Sequence, residues 1–153
     1  MPTREWQREL SLVIAGTLRT LLPSLNNDEL AMLALDCHPW NAGLFLAVLT
    51  QSEVDADPLL ADPAEMAAWN YYDCGEQSDK WVVDSLCETM RQDYYNSEDR
   101  DTIAQAYFRS CGAAISDELV SDVLNDYRLR PDFRVSVTHP DDGTEFCTQE
   151  DAR

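Results

Sequence analysis

Apolar residues recur every three or four positions near the start of the chain. Trp6, Leu10, Val13, Ile14, Thr17, Leu18 and Leu21 fall on one stripe, the spacing of an amphipathic helix. Thr3 stands where a capping hydroxyl belongs, and Pro23 with Asn26-Asn27-Asp28 predicts a stop near Leu22. The period then changes. Residues 29–37 and 44–50 are short runs that are apolar at odd and even positions alike, separated by His38-Pro39-Trp40-Asn41-Ala42-Gly43. Two such runs across a loop of structure breakers predict a β-hairpin over about 29–50. Strands apolar on both faces need cover on both.

Helical spacing returns in three segments, 79–95, 98–112 and 117–129, with Ser78, Ser97 and Ser116 as their caps. The predicted inner faces are Val82, Leu86, Met90 and Tyr94 in the first; Ile103, Ala106, Tyr107, Ser110 and Cys111 in the second; and Leu119, Val120, Val123, Leu124 and Tyr127 in the third. Gly112 suits a left-handed helix end. Phe133, Val135 and Val137 then alternate with Arg134, Ser136 and Thr138, which predicts a half-exposed strand over about 133–138. Asp141-Asp142-Gly143 is a turn, and 145–153 reads as a frayed tail or short edge element. Between hairpin and helices, residues 51–79 are the least regular. Asp57-Pro58 and Asp62-Pro63 are turn signals, with a short helix expected at 64–68 and a short aromatic strand at 69–72. The expected fold is α+β in one domain, 1–153. A small, mostly antiparallel sheet is packed by an N-terminal helix and three helices between about 79 and 129.

Composition narrows the setting. No apolar run reaches the length of a membrane span. Residues 10–22 resemble the apolar part of a signal peptide, but Arg19 interrupts them and Glu5 and Glu9 flank them, so an amphipathic helix is the better reading. The five cysteines, Cys37, Cys74, Cys87, Cys111 and Cys147, are odd in number and form no C-x-x-C pair. Reduced, buried thiols and a cytoplasmic protein are expected.

Charge changes the picture more. The 153 residues carry 29 acids against 11 bases, a formal net charge of −18. So little cation argues against nucleic acid and anionic membranes as partners. Residues 51–101 alone hold 14 acids and 3 bases. Charge of one sign gathered on one surface steers an oppositely charged partner, so a basic protein, such as a toxin or nucleic-acid-binding protein, is the expected partner. Asp55, Asp57, Asp62, Glu65, Trp69, Tyr72, Asp73 and Glu76 are the candidate docking residues. The competing explanation is a solubilising acidic surface. With 18 Asp and a single Lys, that surface also fits adaptation to salt or base composition.

Signals for chemistry are sparse. No G-x-G-x-x-G, Walker loop, G-x-S-x-G, H-E-x-x-H or EF-hand loop is present, and no cofactor is implied. His38, Cys74, His139 and Cys147 match no zinc-ligand spacing. Asp36-Cys37-His38 and His139 stand at predicted strand ends, where two histidines and a thiol can meet at one rim. A small hydrolase-like enzyme built on Cys37, His38 and His139 is thus the second reading. It needs His139 as base, since the adjacent Cys37 and His38 point to opposite faces of a strand. A homodimer in which a twin covers the two-sided sheet is the third.

The order of segments also resembles a known group. An amphipathic helix precedes Ala-Met-Leu-Ala-Leu-Asp at 31–36. Leu-Phe-Leu-Ala-Val-Leu-Thr at 44–50 follows, with Glu53 soon after, then an acidic Trp/Tyr-rich stretch, helices and a late Val-Ser-Val. This arrangement resembles a bacterial family of small α+β proteins of unknown function, some of them similar to immunity proteins of toxin systems. The resemblance implies an α+β fold and a binding role, and it assigns no functional residue.

Overall fold

A computed structural model describes residues 1–147. Helix α1, Arg4–Leu25, is capped by the Thr3 hydroxyl, which accepts from Trp6 N–H. It runs on past Pro23, which sits in its last turn where only one backbone bond is forfeited, and stops at Asn26. Strands β1, Leu30–His38, and β2, Gly43–Thr50, form the expected hairpin, with Cys37 opposite Leu44 and Asp36 opposite Phe45. A short 3-10 turn, Pro39–Asn41, joins them, and Ala42 takes a left-handed φ of 53° to close it.

Helices α2, Gln51–Ala56, α3, Asp84–Asn96, α4, Arg100–Ile115, and α5, Glu118–Leu124, precede the last strand, β3, Leu129–Ser136. The sheet order is β2-β1-β3, and β3 runs parallel to β1. The sheet is therefore mixed rather than mostly antiparallel. A long helical crossover brings the chain back to the end at which β1 starts, and a strand entered that way runs parallel. Strand β3 also begins earlier than alternation suggests. Leu129 pairs with Leu30 across an irregular stretch, and Pro131 is tolerated because β3 is an edge strand.

At the starts of α3, α4 and α5 the serine is displaced, by an aspartate or by a tertiary contact. Ser78 Oγ accepts from Lys80 N–H inside a turn, and α3 begins only at Asp84, leaving Val82 69% exposed instead of inward. Asp99 and Asp117, not Ser97 and Ser116, accept the first helical N–H groups of α4 and α5. Gly112 lies within α4 rather than at its end. A Cβ there would stand 2.6 Å from the Phe146 carbonyl oxygen, so residues 146–147 approach α4 where it has no side chain. α5 ends at Leu124, and Tyr127 turns inward to donate from its hydroxyl to the Leu18 carbonyl at 2.6 Å.

Burial on the sheet has two sides. Leu33, Leu35, Cys37, Leu44, Leu46 and Val48 pack beneath α1, α3, α4 and α5 with Ile14, Leu18, Met90, Tyr107 and Phe108. Met32, Ala34, Ala47 and Leu49 face the other way and are covered by Met66 and Trp69 from the irregular stretch. The 64–68 segment is a 3-10 helix, Pro63–Ala68, and of 69–72 only Tyr71 forms a bridge, to Val48. The second sheet face is thus covered by this chain's own residues 51–77, which removes the uncovered face from which a homodimer was inferred. Glu145 bridges to Thr138, Phe146 N–H donates to the Val137 carbonyl at 2.7 Å, and Cys147 is buried, so 145–147 are packed rather than frayed. The rest of the expected tail, 148–153, lies outside the described residues. No helix among the described residues is long and apolar enough to cross a membrane.

Candidate functional site

A cleft of about 690 Å³ opens where three segments meet: the start of β2, the 73–78 turn and the start of α3. Its carboxylates are Asp73, Glu76, Asp84 and Glu88, from two stretches of chain. Glu88 is tied to Arg91 at 2.7 Å. The other three have no basic side chain within ion-pair distance among the described residues. Asp73 holds a left-handed backbone, φ 57°, which an Asp side chain tolerates. Its carboxyl is raised above 3.8, first by burial and then by the charge and hydrogen bonding of Glu76. Two acids are therefore held close at the mouth of the cleft. Trp81 packs flat on Gly75, where a Cβ would stand 2.6 Å from the indole Cγ. Cys87 lies at the base, its thiol pushed up to about 11 by burial and by Asp84.

The residues expected to dock a partner divide into three groups. Asp73 and Glu76 line the cleft. Asp55, Asp57, Asp62 and Glu65 are exposed on the segment that covers the second sheet face. There Asp57 and Asp62 accept backbone N–H groups at the 3-10 turns, and Asp55 accepts from Gln51 Nε2 at 2.7 Å. Trp69 is a correction. It is buried under that segment, and its Nε1–H donates to the Leu60 carbonyl, so it cannot meet a partner. Tyr72 is half-buried, its ring beside Phe45 and its hydroxyl donating to Asp36 Oδ2 at 2.7 Å.

The predicted rim also takes shape in part. His38 Nε2–H donates to Asp36 Oδ1 at 2.8 Å, completing a Tyr72–Asp36–His38 chain. Burial pulls the Asp36 carboxyl up, but the hydrogen bonds from His38 and Tyr72 and the charge of His38 leave it below its ordinary value of 3.8. His139 Nδ1 accepts from Asp141 N–H at 3.0 Å. Both imidazoles pack against Trp40, with ring centroids at 5.8 and 6.2 Å. Cys37 is elsewhere. It is fully buried on the opposite sheet face and donates to Met90 Sδ at 3.6 Å, with its thiol raised well above its ordinary value by burial and by Cys111. No hydrogen bond joins it to either histidine. Among the described residues, no group of three or more His, Cys, Asp or Glu is arranged to hold a metal ion.

Sequence reasoning missed Asp84, Glu88, Trp81 and Phe45 as cleft residues. Their one local signal is Gly75 between Asp73 and Glu76, six residues ahead of a tryptophan that needed somewhere to pack. Comparison with protein-family models, with curated proteins and with solved structures yields no match.

Proposed function

We propose that this chain is a non-enzymatic binding protein whose acidic cleft takes a basic segment of a partner protein, in the manner of an immunity-type inhibitor of a cationic toxin. One observation carries the reading. Asp73, Glu76 and Asp84 converge on one cleft without a basic partner among the described residues, and burial together with the charge of the neighbouring Glu76 raises the Asp73 carboxyl above its ordinary value. An incoming guanidinium or ammonium removes that repulsion and is drawn by the surrounding acidic field. A thiol-based enzyme has less support, because a buried thiol held protonated and away from both histidines is a poor nucleophile.

The test is titration with an arginine-rich octapeptide, followed through tryptophan fluorescence. A D73N/E76Q/D84N variant is expected to weaken binding roughly tenfold or more. D55N/D57N/D62N, with the same change in net charge, is expected to act far less. Equal losses from both variants would mean that only overall charge is being read, and the cleft would lose its role.

A further inference from the structure

A second concave region adjoins the acidic cleft, shares Asp73 and Gln77 with it, and runs between the last turns of α1 and the 70–77 loop. Two hollows of about 420 and 350 Å³ share Ser24, Leu25, Asn70 and Tyr71 and lie side by side along this groove. Each is near the lower end of the usual range for small-molecule sites, about 300–1,000 Å³. The floor is apolar, from the buried Leu21 and Leu25. The rim is polar and carries no lysine or arginine. Tyr71 is 36% exposed and borders both hollows; its backbone is fixed by the bridge to Val48.

The available hydrogen-bonding groups along this rim are neutral. The Ser24 hydroxyl and the side-chain amides of Asn70 and Gln77 have no partner among the described residues. Two of the acids nearby are already engaged. Glu53 accepts from Thr50 N–H, the Thr50 hydroxyl and Asn70 N–H, and Asp28 accepts from Glu29 and Ser52 N–H. Asp73, at the far end, interacts with Glu76. An anion meets no lysine or arginine in the lining, and the carboxylates of Glu53 and Asp28 are taken up by N–H and O–H donors. An apolar floor, an exposed phenol ring and free amides and hydroxyls instead suit a ligand with a C–H face and many hydroxyl groups.

We propose that this groove binds a neutral saccharide, one ring against Tyr71 and Leu25 and its hydroxyls on Ser24, Asn70 and Gln77. The site shares Asp73 and Gln77 with the acidic cleft but does not rest on its reading. The test is a chemical-shift titration of the full chain with cellobiose, maltose and N,N′-diacetylchitobiose, each separately. At least one sugar is expected to give saturable shifts confined to residues 20–28 and 50–77. Tyr71→Ala is expected to weaken it roughly tenfold, by loss of the aromatic platform. Asn70→Ala with Gln77→Ala is expected to weaken it similarly while leaving the helical signal in circular dichroism unchanged. No saturable shift with any of the three sugars overturns the proposal. So do shifts that survive both variants, or shifts at the groove produced only by the arginine-rich peptide.

Discussion

Single carboxylates in this molecule do opposite things, and their surroundings decide which. Glu53 is 8% exposed and has no cation beside it, yet three hydrogen bonds meet its two oxygens and join the start of α2 to the 70–77 loop. Glu53→Ala leaves the N–H groups of Thr50 and Asn70 without their acceptor, and a loss of about 2 kcal/mol in urea-unfolding free energy is expected. Asp36 has a folded-state pKa below its ordinary 3.8. The unfolded chain then binds the proton more readily, so the stability Asp36 contributes is present above 3.8 and is lost as pH falls through its lower folded value. Asp73 is raised, so its sign is reversed. Its contribution is present below 3.8 and is lost as pH rises through the higher folded value. Urea midpoints followed from pH 7 down to acid should therefore separate two variants. Asp36→Asn should be destabilised at neutral pH, with the gap to the parent narrowing in acid. Asp73→Asn should gain a few tenths of a kcal/mol at neutral pH, an effect kept small because solvent screens the site, and the gain should vanish in acid. If the cleft binds a basic segment, the same Asp73→Asn change weakens that binding. Stability and function would then trade against each other at one residue.

At the scale of elements, contacts between segments override what each segment prefers alone. Gly112 shows this. Its position in sequence suits a helix end, but α4 continues through it because Phe146 needs the space. Gly112→Ala improves helix propensity and should still destabilise by about 2 kcal/mol, since the obstacle is a backbone carbonyl that cannot rotate away. The accompanying sign is faster hydrogen exchange at Phe146 N–H, whose bond to the Val137 carbonyl depends on that approach. The same conflict explains which parts of the fold were legible. The hairpin was, because Leu33, Leu35, Leu46 and Val48 alternate with Met32, Ala34, Ala47 and Leu49 over a length only a strand fits. The stripe of α1 was, because Trp6, Leu10, Ile14, Leu18 and Leu21 keep one face for about four turns. The start of α3 was not, because Trp81 is drawn to Gly75 and holds 78–83 in a turn. The start of β3 was not, because Leu129 looked like the end of a helix until Leu30 was there to pair with it. The acidic cleft was half legible. Asp73 and Glu76 are near neighbours in sequence, but Asp84 and Phe45 reach them only through tertiary structure.

The whole molecule carries −18, and only two arginine–carboxylate pairs, Arg91–Glu88 and Arg130–Asp132, occur among its described residues. Most acids are thus left to repel one another through solvent. Self-repulsion of this kind opposes the compact state, because unfolding moves like charges apart. Salt shortens the reach of each charge from about 10 Å at 0.1 M to about 3 Å at 1 M, so added sodium chloride should raise the melting temperature steadily. A basic partner responds in the reverse direction, because the field that strains the fold is the field that attracts it. Melting curves and peptide affinity measured across one salt series should therefore move apart, stability rising while affinity falls. The cleft adds a finer expectation. Asp73, Glu76 and Asp84 are a small part of the total charge, so D73N/E76Q/D84N should flatten the affinity curve markedly but the melting curve only slightly. D55N/D57N/D62N should relieve the melting curve to a similar degree and leave the affinity curve almost as steep. A parent whose melting temperature ignores salt would mean that self-repulsion is already compensated. An affinity that ignores salt would mean that the partner is held by apolar contact, and the acidic cleft would then be a solvated surface.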